Sequence, residues 1–266
     1  MCHKKLGAVI LAFGFVIPVV GIYGQEITPI ADINVVTETG DPAFAGLQTM
    51  DKYTIEGIAL NDAGIFNSEG DSSFILFVQD DTGGIQVYSG AWYGGGLANY
   101  PEVKQGDRVR ATGLTGHFGG KTNINERHNP DQKFEITVLE SGLSVTPISV
   151  FDLEAANQFD PTRATGGEYY QGRLVTLKSV RIVDGVWENG GMLSVADNRG
   201  KTFAVELRFN TGIGDSPQPE GTLDITGVFD QEDPEQPFTG TYLLWPRSID
   251  DFESVASSVI GWDELK

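Results

Sequence analysis

The sequence predicts an all-β protein built as two tandem five-stranded barrels, and three observations carry that reading. Short alternating apolar and polar runs follow one another between clusters of Gly, Asp, Asn and Pro. No long stretch keeps a helical period, and the order of the runs occurs twice.

The first segment stands outside the fold. Lys4 and Lys5, the apolar stretch Ala8-Val9-Ile10-Leu11-Ala12-Phe13, and then Gly21 and Gly24 follow the charged, apolar, small-residue order of a secretory signal peptide. Residues 1–24 are assigned to it, with cleavage expected after Gly24 and an uncleaved N-terminal anchor as the alternative. Either way the chain is expected to be exported to the periplasm, the cell surface or the medium. The apolar run Ala8 to Ile22 contains Pro18 and falls short of the ~20 residues a spanning helix needs. Cleavage removes Cys2, the only cysteine, and His3, leaving His117 and His128. That set provides neither an internal disulfide nor a His/Cys zinc site. The formal charge is −19 before Lys4 and Lys5 are lost. A role coating duplex DNA, which needs a clustered basic surface, is disfavoured.

The first barrel is expected in residues 25–143, lead-in included. Its strands are read at Tyr53 to Leu60, Phe74 to Gln79, Ile85 to Tyr88, Gly106 to Gly113 and Phe134 to Leu139. Asp80-Asp81-Thr82-Gly83-Gly84 makes the second and third a hairpin, its glycines supplying the turn. The second barrel, residues 144–254, repeats the order with Tyr170 to Leu177, Met192 to Val195, the turn Asp197-Asn198-Arg199-Gly200, Phe203 to Leu207 and Gly221 to Gly227. Gly57, Gly83 and Gly113 are matched to Gly172, Gly200 and Gly227. The lead-ins Ile27-Thr28-Pro29-Ile30 and Val145-Thr146-Pro147-Ile148 are matched as well, each suited to a short strand or one helical turn. Residues 255–266 form a tail or short helix, with Val255, Val259 and Trp262 docking on the second barrel.

A five-stranded barrel of ~90–100 residues whose glycines let strands bend sharply is the oligonucleotide/oligosaccharide-binding (OB) architecture. The chain resembles the tandem OB-fold modules of secreted bacterial nucleases, the YhcR-type endonuclease group. The matching stretches are Thr28-Pro29-Ile30, Val78 to Ile85, Gly106 to Gly113 and Tyr170 to Val175. The likeness covers most of residues 27–254 and lies in turn and strand signatures. Those nucleases carry a separate catalytic domain, for which this sequence has no residues left.

OB barrels bind ligands across their second and third strands, between the loops joining strands one to two and four to five. On that reading Phe77, Gln86 and Tyr88 on the first hairpin and Trp92, Tyr93 and Tyr100 beyond it are candidate ligand-binding residues, their rings suited to bases or sugar faces. Against this, Phe77 suits a core and Trp92 and Tyr93 suit a plug at a barrel end. Lys104, Arg108, Arg110, Lys121 and Arg127 form the one basic island. Arg108 and Arg110 share a strand face, and Lys121 is expected in a loop that closes over a polymer backbone. The alternative is cross-strand ion pairing. The second copy has Thr222 and Asp224 where the first has Arg108 and Arg110, which suits a polyanion less.

Asp80, Asp81 and the run Asp230 to Glu235 contain oxygen ligands for Ca²⁺ without the spacing of a calcium loop, so no cofactor is assigned. No nucleophile elbow, phosphate loop or His-Glu-x-x-His pair is present, and no catalytic residue is assigned. The expected function is that of a secreted, non-catalytic binding protein holding single-stranded nucleic acid on its first barrel. The alternatives are an extracellular adhesion or assembly module for protein or polysaccharide, and a small nuclease using Asp107, Arg108 and Arg127.

Overall fold

A computed structural model describes residues 26–92 and 95–256. The signal-peptide assignment, the role given to Tyr93, and the docking of Val259 and Trp262 lie outside the described residues.

The first barrel consists of β1 (Tyr53–Ala59), β2 (Phe74–Gln79), β3 (Gly84–Ser89), β4 (Arg108–Phe118) and β5 (Lys121–Asn125). They close in the order β1-β2-β3-β5-β4-β1, antiparallel except for the parallel β3–β5 pair. This is the strand order of an OB barrel. Alternate residues of β2 and β3 point inward, so Phe74, Leu76, Val78, Ile85 and Val87 fill the interior with Ile55, Val109, Ala111 and Ile124. β6 (Glu135–Glu140) pairs with the N-terminal half of β4, beyond the stretch that β5 occupies.

The closing strand corrects the sequence reading. Residues 134–139 were expected to shut the barrel, but Lys121–Asn125 does so and Lys121 is no loop residue. Only Ile124 of that strand is apolar, so it shows no readable alternation. All five residues are nevertheless buried; Lys121 bonds to Asp230 and Glu232, and Asn125 donates its amide to the Asn123 side-chain oxygen at 2.8 Å.

The second barrel repeats the plan. β7 (Ile148–Val150) leads in; β8 (Leu174–Gly185), β9 (Met192–Ala196), β10 (Thr202–Glu206), β11 (Leu223–Gln231) and β12 (Tyr242–Trp245) close as β8-β9-β10-β12-β11-β8, again with one parallel pair, β10–β12. β13 (Phe252–Ser254) pairs with β11 at the end of the stretch assigned to the second barrel.

Two hydroxyl pairs fix the register of the repeat. Thr54 and Thr112 share a hydrogen bond of 2.8 Å across β1 and β4, and Thr176 and Thr226 share one of 2.8 Å across β8 and β11. Gly113, opposite Tyr53, therefore matches Gly227, opposite Val175, as the sequence suggested. Gly57 has no counterpart in Gly172, which precedes β8 altogether. The lead-ins are likewise displaced: Ile27 bridges Thr54 in parallel as Ser149 bridges Thr176. Each then enters a single helical turn, α1 (Ile30–Ile33) or α2 (Leu153–Ala156). Pro29 caps α1 whereas Pro147 precedes β7, two places that both tolerate a missing N–H.

The barrels are joined by a third apolar core. Leu60, Phe66, Ile75 and Phe77 of the first pack with Leu174, Val228, Leu243 and Trp245 of the second. Trp245 lies 5.2 Å from the Phe66 ring and 5.7 Å from that of Phe77, the latter edge-on. Backbones meet at Gly84 and Gly172, where a Cβ on Gly84 would stand 2.0 Å from the Gly172 carbonyl oxygen. Only residues without side chains allow that approach.

Candidate ligand-binding groove

Cross-strand register shows what the two barrels do with the same sheet face. Phe77 lies opposite Gln86 and Ile75 opposite Tyr88. In the second barrel Ser194 lies opposite Ala204 and Met192 opposite Glu206. Parallel pairing of Gln86 with Asn123 and of Ala204 with Leu243 makes these equivalent positions. In the first barrel the outward residues are large and covered: Phe77 is 1% exposed and Gln86 7%, and Tyr88 packs against the inter-barrel core. In the second, Ser194 and Ala204 are small, and a groove of about 440 Å³ lies over them with Met192 at its wall. Ala204 also touches the inter-barrel core, and Glu206 stays outside the groove.

That groove is built by β9 and β10 with the end of β8 and the residue before β12. Ser194, Thr202, Thr241, Asn157 and Asp184 supply hydroxyl, amide and carboxylate groups, and Met192, half-exposed, supplies an apolar wall. Asn157 is fixed by donating its side-chain amide to the Thr202 carbonyl at 3.1 Å. Asp184 accepts the Gly185 N–H at 2.8 Å, which leaves its other oxygen with no recorded bond among the described residues. The loop between β11 and β12 and the end of β8 flank the sheet as OB ligand loops do. The lining contains no Lys or Arg, and no aromatic ring besides the buried Phe203 and Tyr242.

The sequence-chosen residues are dispersed. Phe77, Gln86 and Tyr88 come together, but beneath the second barrel, where Phe77 presents no ring face to a ligand. Trp92 is 91% exposed in the loop after β3. Tyr100 stacks on Phe134 with centroids 4.0 Å apart and also packs against Phe74, so its ring serves the first barrel's core.

The basic island is paired internally. Arg110 meets Glu56 on β1 at 2.8 Å, Arg108 meets Glu140 on β6 at 3.6 Å, and Lys104 meets Glu102 at 2.7 Å. Arg127 donates to the carbonyls of Gly46, Thr49 and Thr115 at 2.6–2.8 Å, tying three backbone segments. Lys121, 3% exposed, donates to Asp230, to the Gln231 carbonyl at 2.9 Å and to Glu232 at 2.8 Å, all in the second barrel. Burial alone would lower its pKa, but the charges of Asp230 and Glu232 outweigh burial and hold it above the ordinary value. Burial raises Asp230 from the usual 3.8 to about 7, with Glu232 adding to the rise and Lys121 opposing it.

No family model matches the sequence, and no curated protein matches it. Kinship with the secreted nuclease modules is thus a resemblance of turns and strands. Solved structures similar to the chain include the tetrameric p202 HIN2, at 14% identity over 74% of this chain and 88% of that one, with a TM-score of 0.33. A chain of a replication protein A heterotrimer bound to ssDNA is similar at 12% identity, over 74% of this chain and 49% of that one, with a TM-score of 0.32. The chain therefore spans about half the length of that second protein. The OB assignment stands on this chain's own strand order and pairing.

The proposed calcium and nuclease residues have local partners. Asp80 accepts N–H bonds from Thr82, Gly83 and Ile30, which closes its turn and anchors α1. Asp107 accepts from the Lys104 N–H at 2.8 Å, shaping the turn before β4. Among the described residues no group of three or more His, Cys, Asp or Glu side chains is placed to hold a metal ion.

Proposed function

We propose that the chain is an exported, non-catalytic ligand-holding protein whose working face is the β9–β10 groove of the second barrel. Its ligand is a segment of a neutral extended polymer, with polysaccharide as the chemical class. The observation that supports this is the contrast at equivalent positions: Phe77 and Gln86 are covered, while Ser194 and Ala204 floor an open groove with a hydroxyl, amide and carboxylate lining. Such groups can exchange hydrogen bonds with sugar hydroxyls, and a polyanion gains nothing from a groove without a cation.

The test is binding of purified protein to a panel of polysaccharides, repeated with Ser194→Trp, whose indole would fill the groove. Saturable binding that weakens by at least about tenfold in the variant is expected. Undiminished binding by folded Ser194→Trp, or no binding across the panel, contradicts the reading.

Single-stranded nucleic acid held on β4 is the second reading, favoured by one observation. Arg108 and Arg110 stand on one face with side chains 44% and 50% exposed, and exposed ion pairs worth ~0–1 kcal/mol exchange readily for phosphate. The same panel includes a labelled oligonucleotide. Binding that falls with salt and is lost in Arg108→Glu/Arg110→Glu supports this reading over the first.

A further inference from the structure

A second cavity, of about 260 Å³, opens where the lead-in of the first barrel meets that of the second. Its walls bring Asn34, Val36 and Thr82 from one side against Arg163, Tyr169 and Arg173 from the other. We propose that this cavity binds a small carboxylate that also carries a hydroxyl or amide donor, a site distinct from the β9–β10 groove.

Three observations converge on that chemistry. Arg173 donates to the Thr82 carbonyl at 2.6 Å, and its guanidinium carbon lies 4.7 Å from the centroid of the Tyr169 ring. No carboxylate forms an ion pair with it among the described residues, a property it shares with Arg127 and Arg181, but Arg173 alone of these three lines this cavity. A stacked, planar guanidinium with remaining N–H groups matches a carboxylate fork. Arg163, held at φ 57°, meets the buried Glu168 at 2.5 Å through Nη1, so its charge is already balanced. One uncompensated cation therefore remains, which suits a monoanion rather than a phosphate.

The third observation calls for a donor on the ligand. Asn34 is 3% exposed and gives its amide N–H to the Gly84 carbonyl at 2.7 Å, which fixes its orientation. Its Oδ1 is buried without a hydrogen-bond partner, and Asn34 lines the cavity, so a ligand reaches that oxygen once the cavity wall adjusts around it. An orphaned buried acceptor is unfavourable, and a ligand O–H or N–H would pair it. A sugar acid and a peptide C-terminus both combine such a donor with a carboxylate.

Calorimetric titration of the full chain with galacturonate, N-acetylglycine, galactose and sulfate tests the site. Saturable binding of one or both carboxylates is expected, with galacturonate alone assigning a sugar acid and N-acetylglycine alone a peptide terminus. Arg173→Lys keeps the charge but loses the fork and should weaken binding about tenfold. Ser194→Trp should leave it unchanged, which separates failure here from failure of the groove. If Arg173→Lys does not fold, Tyr169→Leu, lacking the ring beneath the guanidinium, should show the same loss. Absence of carboxylate binding, equal affinity for sulfate or galactose, or unaltered affinity in both variants overturns the proposal.

Discussion

Lys121→Ala is expected to destabilise the folded chain by about 3–5 kcal/mol, because it leaves the buried Asp230 carboxylate without its cation. Lys121 is 3% exposed and Asp230 0%, so water cannot replace the lost ammonium. The effect should depend on pH in a direction opposite to ordinary acid denaturation. Asp230 has a folded pKa of about 7 against 3.8 when unfolded, so the unfolded chain releases this proton first. Its contribution therefore makes the wild-type chain less stable as pH rises from about 4 to about 7, and constant above that. Without Lys121 the carboxyl is costlier still to ionise. The loss in Lys121→Ala should be largest above pH 7 and smaller at pH 5, read from urea midpoints at both. A loss below ~1 kcal/mol, or one that grows on acidification, would contradict the account of this ion pair.

Trp245→Ala should cost a comparable ~3–5 kcal/mol, since it empties the centre of the inter-barrel core. The ring is 2% exposed between Phe66 and Phe77, and the Arg208 guanidinium lies 4.5 Å from its centroid. Its Nε1 donates to Glu206 at 2.9 Å, so truncation also leaves a carboxylate short of a donor. With the shared core intact, both barrels should unfold in one urea transition followed by circular dichroism. In Trp245→Ala that transition should move to lower urea and broaden or split as the barrels uncouple. An unchanged midpoint would mean that the barrels do not support each other.

The barrel pattern was legible because turns and inward-facing residues repeat in it: the hairpin capped by Asp80 has a partner in the one capped by Asp197. The site was legible only in part. The unbroken run Phe74-Ile75-Leu76-Phe77-Val78 signals a strand buried on both faces, where a ligand-facing strand would alternate. That run marks the interface with the second barrel, and Phe77, a ligand candidate by its place in the barrel, lies in that interface together with Ile75. Leu193-Ser194-Val195 alternates as an open face should, and in the fold the burial of Met192 to Val195 alternates with it. The basic island misled for another reason. Lys121 is close in sequence to Arg127, but its partners Asp230 and Glu232 lie more than a hundred residues away, and no local pattern announces such a pairing.

The central claim is that the first barrel's ligand face is covered by the second barrel, which meets it through Ala204, Leu243 and Trp245 and leaves the β9 side of its own face open. Ile75 and Met192 are equivalent positions with similar chemistry and opposite surroundings, 7% and 50% exposed. With Cys2 replaced by Ser, Ile75→Cys and Met192→Cys each carry a single thiol whose reaction with an aromatic disulfide can be timed. The account predicts that Met192→Cys reacts at the rate of a free thiol while Ile75→Cys is protected until urea unfolds the chain. Equally fast labelling of both in the absence of urea would contradict it.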